Sequence, residues 1–194
     1  ILWCAASTHH SEELFIAKMN IILKKKFNNI LNIIIPRHTN RIKKITDELS
    51  NLNLKICLYS QIEKMAPNTD VILVDSYGEV EKFYNISKCI FLGKSLIISL
   101  IKDSGQNPIE PARLGCKVFH GPYVSNFLEI YHYLQSLGIS SEVNTPEDLS
   151  NQIVGAFNKN VNENAENIKK IDDYGKNTLN SVMKELKEYI NISR

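Results

Sequence analysis

Leu31-Asn32-Ile33-Ile34-Ile35, closed by Pro36, is an almost continuous apolar run, and its reading decides the fold. A strand with one wet face alternates apolar and polar residues, whereas a strand covered on both faces does not. The run therefore reads as a buried strand of a parallel sheet. Similar short runs recur on either side of it: Ile1 to Ala6, Leu54 to Leu58, Val71 to Val74, Cys89 to Leu92, and Val118-Phe119. A further short strand is expected at Glu142 to Asn144. Helical patterns separate them, from Ser11 to about Lys26, after Arg41 through Leu49, after Glu79, from Asn126 to Leu137, and from Pro146 to Asn158. Strands alternating with helices specify an α/β class with a Rossmann-like parallel sheet and flanking helices. Residues 1–158 form this domain, and 159–194 a C-terminal helical tail. The tail is Asn- and Lys-rich, with apolar residues at Ile168, Ile171, Leu179, Val182, Leu186 and Ile190. That spacing makes it an amphipathic helix, with an interruption expected near Gly175.

The chain has 194 residues, 43% of them hydrophobic and 23% charged, as in an ordinary globular domain. A net charge of +2 gives no footprint for nucleic-acid binding. Cys4, Cys57, Cys89 and Cys116 are scattered in or beside apolar runs, which suits buried thiols and not a disulfide frame or zinc site. The longest apolar stretch, Phe91 to Ile101, is broken by Gly93 and Lys94 and is too short to span a bilayer. The opening on a strand-like run without Met raises the expectation that this is one part of a longer protein.

Ligands of parallel sheets sit beyond the carboxyl ends of the strands. Four segments fall there: Ser7-Thr8-His9, Arg37-His38, Asp75 to Glu79, and Ser104 to Glu110. In the last, Gly105 permits positive φ or close approach, Asn107 suits a helix N-cap, and Pro108 suits the first helical position. Backbone N–H groups there would seat a phosphate, and Glu110 could accept the paired hydroxyls of a ribose. Asn107-x-x-Glu110 also resembles a capping box, in which the glutamate merely returns to the cap, and for an isolated motif that is the commoner role; the convergence of four segments on this edge favours the ligand. Pro111 would remove the first intrahelical bond of a helix capped by Asn107, so the helix begins later or the turn is strained. Arg37 is either a phosphate fork or a solvated surface arginine. His9, His10 and His38 have no metal-site spacing, and no nucleophile–histidine–acid order is identifiable.

Taken in order, Ser7-Thr8-His9-x-x-Glu12-Glu13, Pro36-Arg37-His38-x-x-Arg41, Asp75-x-x-Gly78-Glu79 and Gly105-x-Asn107-Pro108-x-Glu110-Pro111-Ala112 resemble the Kdo transferases of lipopolysaccharide synthesis. Phe91-x-Gly93-x-Ser95-Leu96 and Gly121-Pro122-x-x-x-Asn126-Phe127 extend the likeness over positions 3 to 155. The resemblance implies the C-terminal half of a GT-B glycosyltransferase, whose two Rossmann-like domains face a cleft. It implies a donor site for CMP-Kdo in which Arg37 and Asn107 hold the phosphate and Glu110 the ribose. Gly78, Glu79, Ser104 and Gly105 would line the rest. It implies no metal and no cofactor beyond the donor substrate. The acceptor, a lipid A precursor, and the general base would belong to an N-terminal domain, so no residue here is assigned as catalytic. By the same resemblance the fragment alone is inactive and soluble. The full-length protein would associate with the cytoplasmic face of the bacterial inner membrane. Lys94 stands where that family usually has a second glycine, Gln106 where it has histidine, and Ser11 and Ser104 where it has glycine. The alternatives are a transferase or epimerase of the same fold using a UDP-sugar, or a non-catalytic nucleotide-binding module.

Overall fold

The computed structural model describes residues 1–158 and 164–192. Its strands are β1 (Leu2–Thr8), β2 (Leu31–Pro36), β3 (Ile56–Leu58), β4 (Val71–Leu73), β5 (Cys89–Leu92), β6 (Lys117–His120) and β7 (Ser140–Glu142). The helices are α1 (Glu12–Lys24), α2 (Ile42–Ser50), α3 (Val80–Ile86), α4 (Ile109–Arg113), α5 (Leu128–Ser136), α6 (Pro146–Asn158) and α7 (Asn164–Ile192). Every strand pair is parallel, in the order β3-β4-β2-β1-β5-β6-β7. The α/β, Rossmann-like reading therefore holds.

Burial on both faces follows from the strand sequences. Trp3, Ala5, Ile34, Leu73, Phe91 and Phe119 point to one face, where they pack with Ile16 and Leu23 of α1, Ile45 and Leu49 of α2, and Leu149 and Ile153 of α6. Cys4, Ala6, Ile33, Ile35, Ile90, Leu92 and Val118 point to the other, against Phe83 of α3, Ala112 of α4, Tyr131 and Leu134 of α5, and Ile171 of α7. Side chains alternate across a strand, so runs that are apolar at every position fill two cores at once.

Several bounds differ from the expectation by one or two residues, as at β1 and β3, and three departures have a physical reason. The strand expected at Glu142 to Asn144 lies two residues earlier, because Ser140 is buried and its hydroxyl donates to the Tyr131 carbonyl at 3.1 Å. A satisfied serine gives no apolar signal. Helix α5 starts at Leu128, because Ser125 and Asn126 are tied by their N–H groups to Ser104. Helix α7 continues through Gly175 without interruption. One glycine costs a helix about 1 kcal/mol relative to alanine, which a helix of this length absorbs.

The N-terminal half of α7 is docked, by buried Ile171, by the Arg113–Asp172 ion pair at 2.8 Å and by stacking of Tyr133 on Tyr174. From Gly175 to Ile190 every side chain is exposed. The boundary between domain and tail falls beside residues 159–163, outside the described residues. No helix among the described residues is long and apolar enough to cross a membrane.

Two glycines make opposite predictions. A Cβ at Gly93 would lie 2.5 Å from the Ser7 carbonyl oxygen and 2.7 Å from Thr8 Cα, both backbone that cannot yield locally. Gly93→Ala should therefore lose about 1–3 kcal/mol in urea unfolding. Gly155, inside α6 with nothing within 4 Å, should gain about 0.5–1 kcal/mol as alanine by the same measurement.

Candidate functional site

Strand order runs outward from β1 through β2 on one side and from β5 through β7 on the other, so a crevice opens at the carboxyl ends of β1 and β5. The Glu12 carboxylate closes its floor. It accepts N–H bonds from His9 (2.9 Å) and Lys94 (2.8 Å) on Oε2, and from Ser95 (2.9 Å) and Leu96 (3.0 Å) on Oε1. Glu12 has no exposed surface. Its neighbour Glu13, equally buried, receives the Arg41 guanidinium in a two-pronged pair at 3.0 and 2.9 Å and the Thr8 hydroxyl at 3.0 Å. The two acids thus do not act as a helix start with its carboxylates in water. Ser11, at the N-cap position, makes no side-chain cap and sits at φ 77°. Ser7 (φ 55°) and Lys94 (φ 58°) are also left-handed, so strained backbone concentrates at this crevice.

Arg41 is paired with Glu13 through both terminal nitrogens, whereas the Arg37 side chain is exposed and makes no hydrogen bond or ion pair among the described residues. Its N–H is held by the Thr8 carbonyl at 2.9 Å, which fixes where the side chain leaves the sheet. His9 and His38 meet edge to face with centroids 5.9 Å apart. The His9 Nδ1 lies 3.1 Å from the Ser7 carbonyl, and burial holds its imidazole below the usual histidine range.

Beyond β4, Asp75 accepts the N–H and O–H of Ser60 at 3.0 and 2.6 Å. The exposed Tyr77 accepts the Thr39 N–H at 3.4 Å, which ties this loop to the one after β2. Gly78 takes φ 82°, and Glu79 pairs with Lys82 at 2.6 Å at the start of α3.

The loop before α4 divides into a scaffold and a free edge. Ser104 is buried; its hydroxyl donates to the Ile101 carbonyl (2.9 Å) and accepts the Ser125 N–H (3.1 Å). The Gly105 N–H donates to the Lys94 carbonyl at 2.7 Å, and φ 86° with Val124 Cα at 2.9 Å from a Cβ position explains the glycine. Asn107 is exposed; its Oδ1 accepts the Ile109 N–H at 3.0 Å, and its amide nitrogen has no hydrogen-bond partner among the described residues. Helix α4 begins at Ile109, later than an Asn107 cap would start it, so Pro111 falls at the third position, where no intrahelical N–H bond is lost. The first helical bond runs from Ala112 to Pro108 at 3.2 Å. This settles the proline without strain. At five residues α4 is too short for its dipole to matter much. Glu110 is exposed and its carboxylate has no hydrogen bond or ion pair among the described residues, so the capping box does not form.

Arg37, Gly78, Glu79 and the Ser104 to Glu110 loop thus all occupy the carboxyl edge of the sheet. Sequence reasoning missed the buried roles of Glu12, Glu13 and Arg41. One signal was present: both acids precede Ile16, Ala17, Asn20 and Leu23 on the buried stripe of α1.

Beneath the loop, the Tyr131 hydroxyl donates to the Gln106 carbonyl at 3.0 Å, and its ring packs on His120 with centroids 4.3 Å apart. His120 Nδ1 lies 2.7 Å from the Gly121 carbonyl, so the neutral ring carries its proton there.

Two predictions follow from this floor. Glu12→Gln replaces one acceptor oxygen by a donor facing N–H groups; with two bonds lost at about 1–3 kcal/mol each, urea unfolding should show about 2–6 kcal/mol less stability. Burial holds the His120 imidazole below its ordinary range, so the folded chain takes up that proton at lower pH than the unfolded chain does. The unfolded state then binds more protons, and stability should fall as pH drops below about 6.5. His120→Asn, which keeps a donor at the Nδ1 position and cannot charge, should flatten that slope between pH 7.5 and 5.5.

No family model matches the sequence. The 3-deoxy-D-manno-octulosonic acid transferase of Haemophilus influenzae is 36% identical over 156 residues, 80% of this chain and 36% of that protein. The enzyme of that name from Rickettsia prowazekii is 29% identical over 191 residues, 96% of this chain and 39% of its own length. The chain thus spans under two fifths of the length of these relatives. Among solved structures, the C-terminal CMP-Kdo binding domain of WaaA from Acinetobacter baumannii superposes with a TM-score of 0.77 at 24% identity, covering 88% of each chain. With the order of its edge motifs, its sequence likeness and this fold all agreeing, the chain belongs to the 3-deoxy-D-manno-octulosonic acid transferase family.

Proposed function

We propose that this chain is the donor-binding domain of a glycosyltransferase that moves Kdo from CMP-Kdo to a lipid A precursor in lipopolysaccharide synthesis. The observation that carries the reading is the Glu110 carboxylate, exposed and unpaired among the described residues, three residues from the exposed Asn107, whose amide nitrogen is also without a partner among them. A carboxylate without a structural partner on a ligand edge is suited to two vicinal hydroxyls. The names of the relatives and of the WaaA domain support the choice of sugar and nucleotide.

In this reading Glu110 accepts both ribose hydroxyls of CMP-Kdo. The Arg37 fork and the Asn107 amide face the phosphate, where a planar guanidinium can make two parallel bonds. Gly78 and Glu79 border the nucleotide, while Ser104 and Gly105 hold the loop in shape. The acceptor hydroxyl attacks the anomeric carbon, the bond to the phosphate breaks with inversion, and CMP leaves with the electron pair. The proton passes to a general base outside this chain. No metal takes part, and the complete protein works at the cytoplasmic face of the inner membrane, where its acceptor lies. The domain alone binds donor without transferring sugar.

Calorimetric titration with CMP, UMP and UDP tests the reading, with CMP expected to bind most tightly. A preference for UDP would replace Kdo transfer by UDP-sugar chemistry. Glu110→Gln should weaken CMP by about tenfold or more, since bonds to a charged acceptor are worth about 1.5–3 kcal/mol each, while its melting temperature stays put. Arg37→Gln should weaken CMP but leave cytidine unchanged. Equal CMP affinity in wild type and Glu110→Gln would remove Glu110 from the site.

A further inference from the structure

We propose that Lys94 is a positioning residue of the donor site, pinning the Asp103 to Gly105 segment at the root of the donor loop with its carbonyl and its ammonium together. This rests on the donor reading above. Lys94 lies two residues past the end of β5 and holds φ 58°, a conformation that glycine adopts freely and lysine does not. In that conformation its N–H donates to Glu12 while its carbonyl accepts the Gly105 N–H at 2.7 Å. Its ammonium reaches Asp103 Oδ2 at 2.8 Å, with 17% of the Lys94 side chain exposed. The other Asp103 oxygen accepts Asn126 Nδ2 at 2.8 Å, and the Asn126 N–H donates to the Ser104 carbonyl at 3.1 Å.

Asp103, Ser104 and Gly105, at the root of the donor loop, are therefore held from two sides. Ser125 and Asn126 hold them from the loop after β6, and Lys94 holds them from the loop after β5. Lys94 in turn hangs from the Glu12 carboxylate, so the chain of contacts runs from the crevice floor to the loop that carries Asn107 and Glu110. The Lys94 ammonium also keeps the Asp103 carboxyl below its ordinary range, in keeping with a charged pair. A loop already ordered before ligand arrives loses less freedom on binding, which appears as affinity.

Lys94→Met keeps the stem and removes the charge; Lys94→Gly removes the side chain and relieves the backbone. Both should exchange the Gly105 amide hydrogen faster in the free protein and weaken CMP about three- to tenfold. Lys94→Gly should nevertheless unfold in urea at or above the wild-type midpoint, a split that a merely structural role would not give. Adding Asp103→Asn to Lys94→Met should cause no further loss of CMP affinity, because the pair acts as one unit. Unchanged amide exchange in Lys94→Met would overturn the pin. Faster exchange with unchanged CMP affinity would overturn its role in binding. Failure of the wild type to bind CMP would instead overturn the donor reading on which the role rests.

Discussion

One carboxylate at the crevice floor organises the carboxyl edge of this sheet. Glu12 takes N–H bonds from the loop after β1 and from three consecutive residues after β5, so it joins the two strands between which the strand order reverses. Consecutive backbone N–H groups form a concavity suited to an anion. Here the protein's own side chain fills it. The charge is costly to bury, and four donors offset that cost only while the geometry holds. Gly93 is the companion constraint, because any side chain there would strike Ser7, Thr8 and Glu12 itself.

Filling that concavity displaces ligand binding from the strand termini to the surrounding loops. The arginines show the division. Arg41 lies against buried Glu13 as part of the floor, while Arg37, four residues earlier, stays exposed and unpaired among the described residues. The loop before α4 repeats the pattern, with Ser104 and Gly105 bonded inward and Asn107 and Glu110 facing out. Rigid anchoring at one end and free polar groups at the other suit a site that must present donors without rearranging. Helix α4 is also tied to α7 through Arg113 and Asp172, so the tail buttresses the site from behind.

Much of this was legible in one dimension. The Leu31 to Pro36 run and its counterparts specified a parallel sheet, because only strands covered on both faces tolerate apolar residues at consecutive positions. The same alternation of strands and helices located the carboxyl-edge loops, and the ordered motifs within them named the family. Hydrophobic periodicity also marked α6 from Pro146 to Asn158. Where it failed, a polar residue was buried and satisfied, as at Ser140 of β7, or a glycine met no obstacle, as at Gly175 of α7.

Sequence by itself therefore determined the sheet, the helices on its two faces and the segments that could meet a ligand. Those properties depend on local spacing and on apolar burial. Only the tertiary structure decided which polar residues in those segments are structural and which are free. Glu12 and Glu110 are both first-turn glutamates in their helices, yet the first accepts four backbone N–H groups and the second none among the described residues. The difference lies with partners more than eighty residues away in the chain, at Lys94, Ser95 and Leu96, which no local pattern near Glu12 contains. Hydrogen bonding of a buried charge is a property of the assembled fold, because the donors that satisfy it are brought together only when the strands pair.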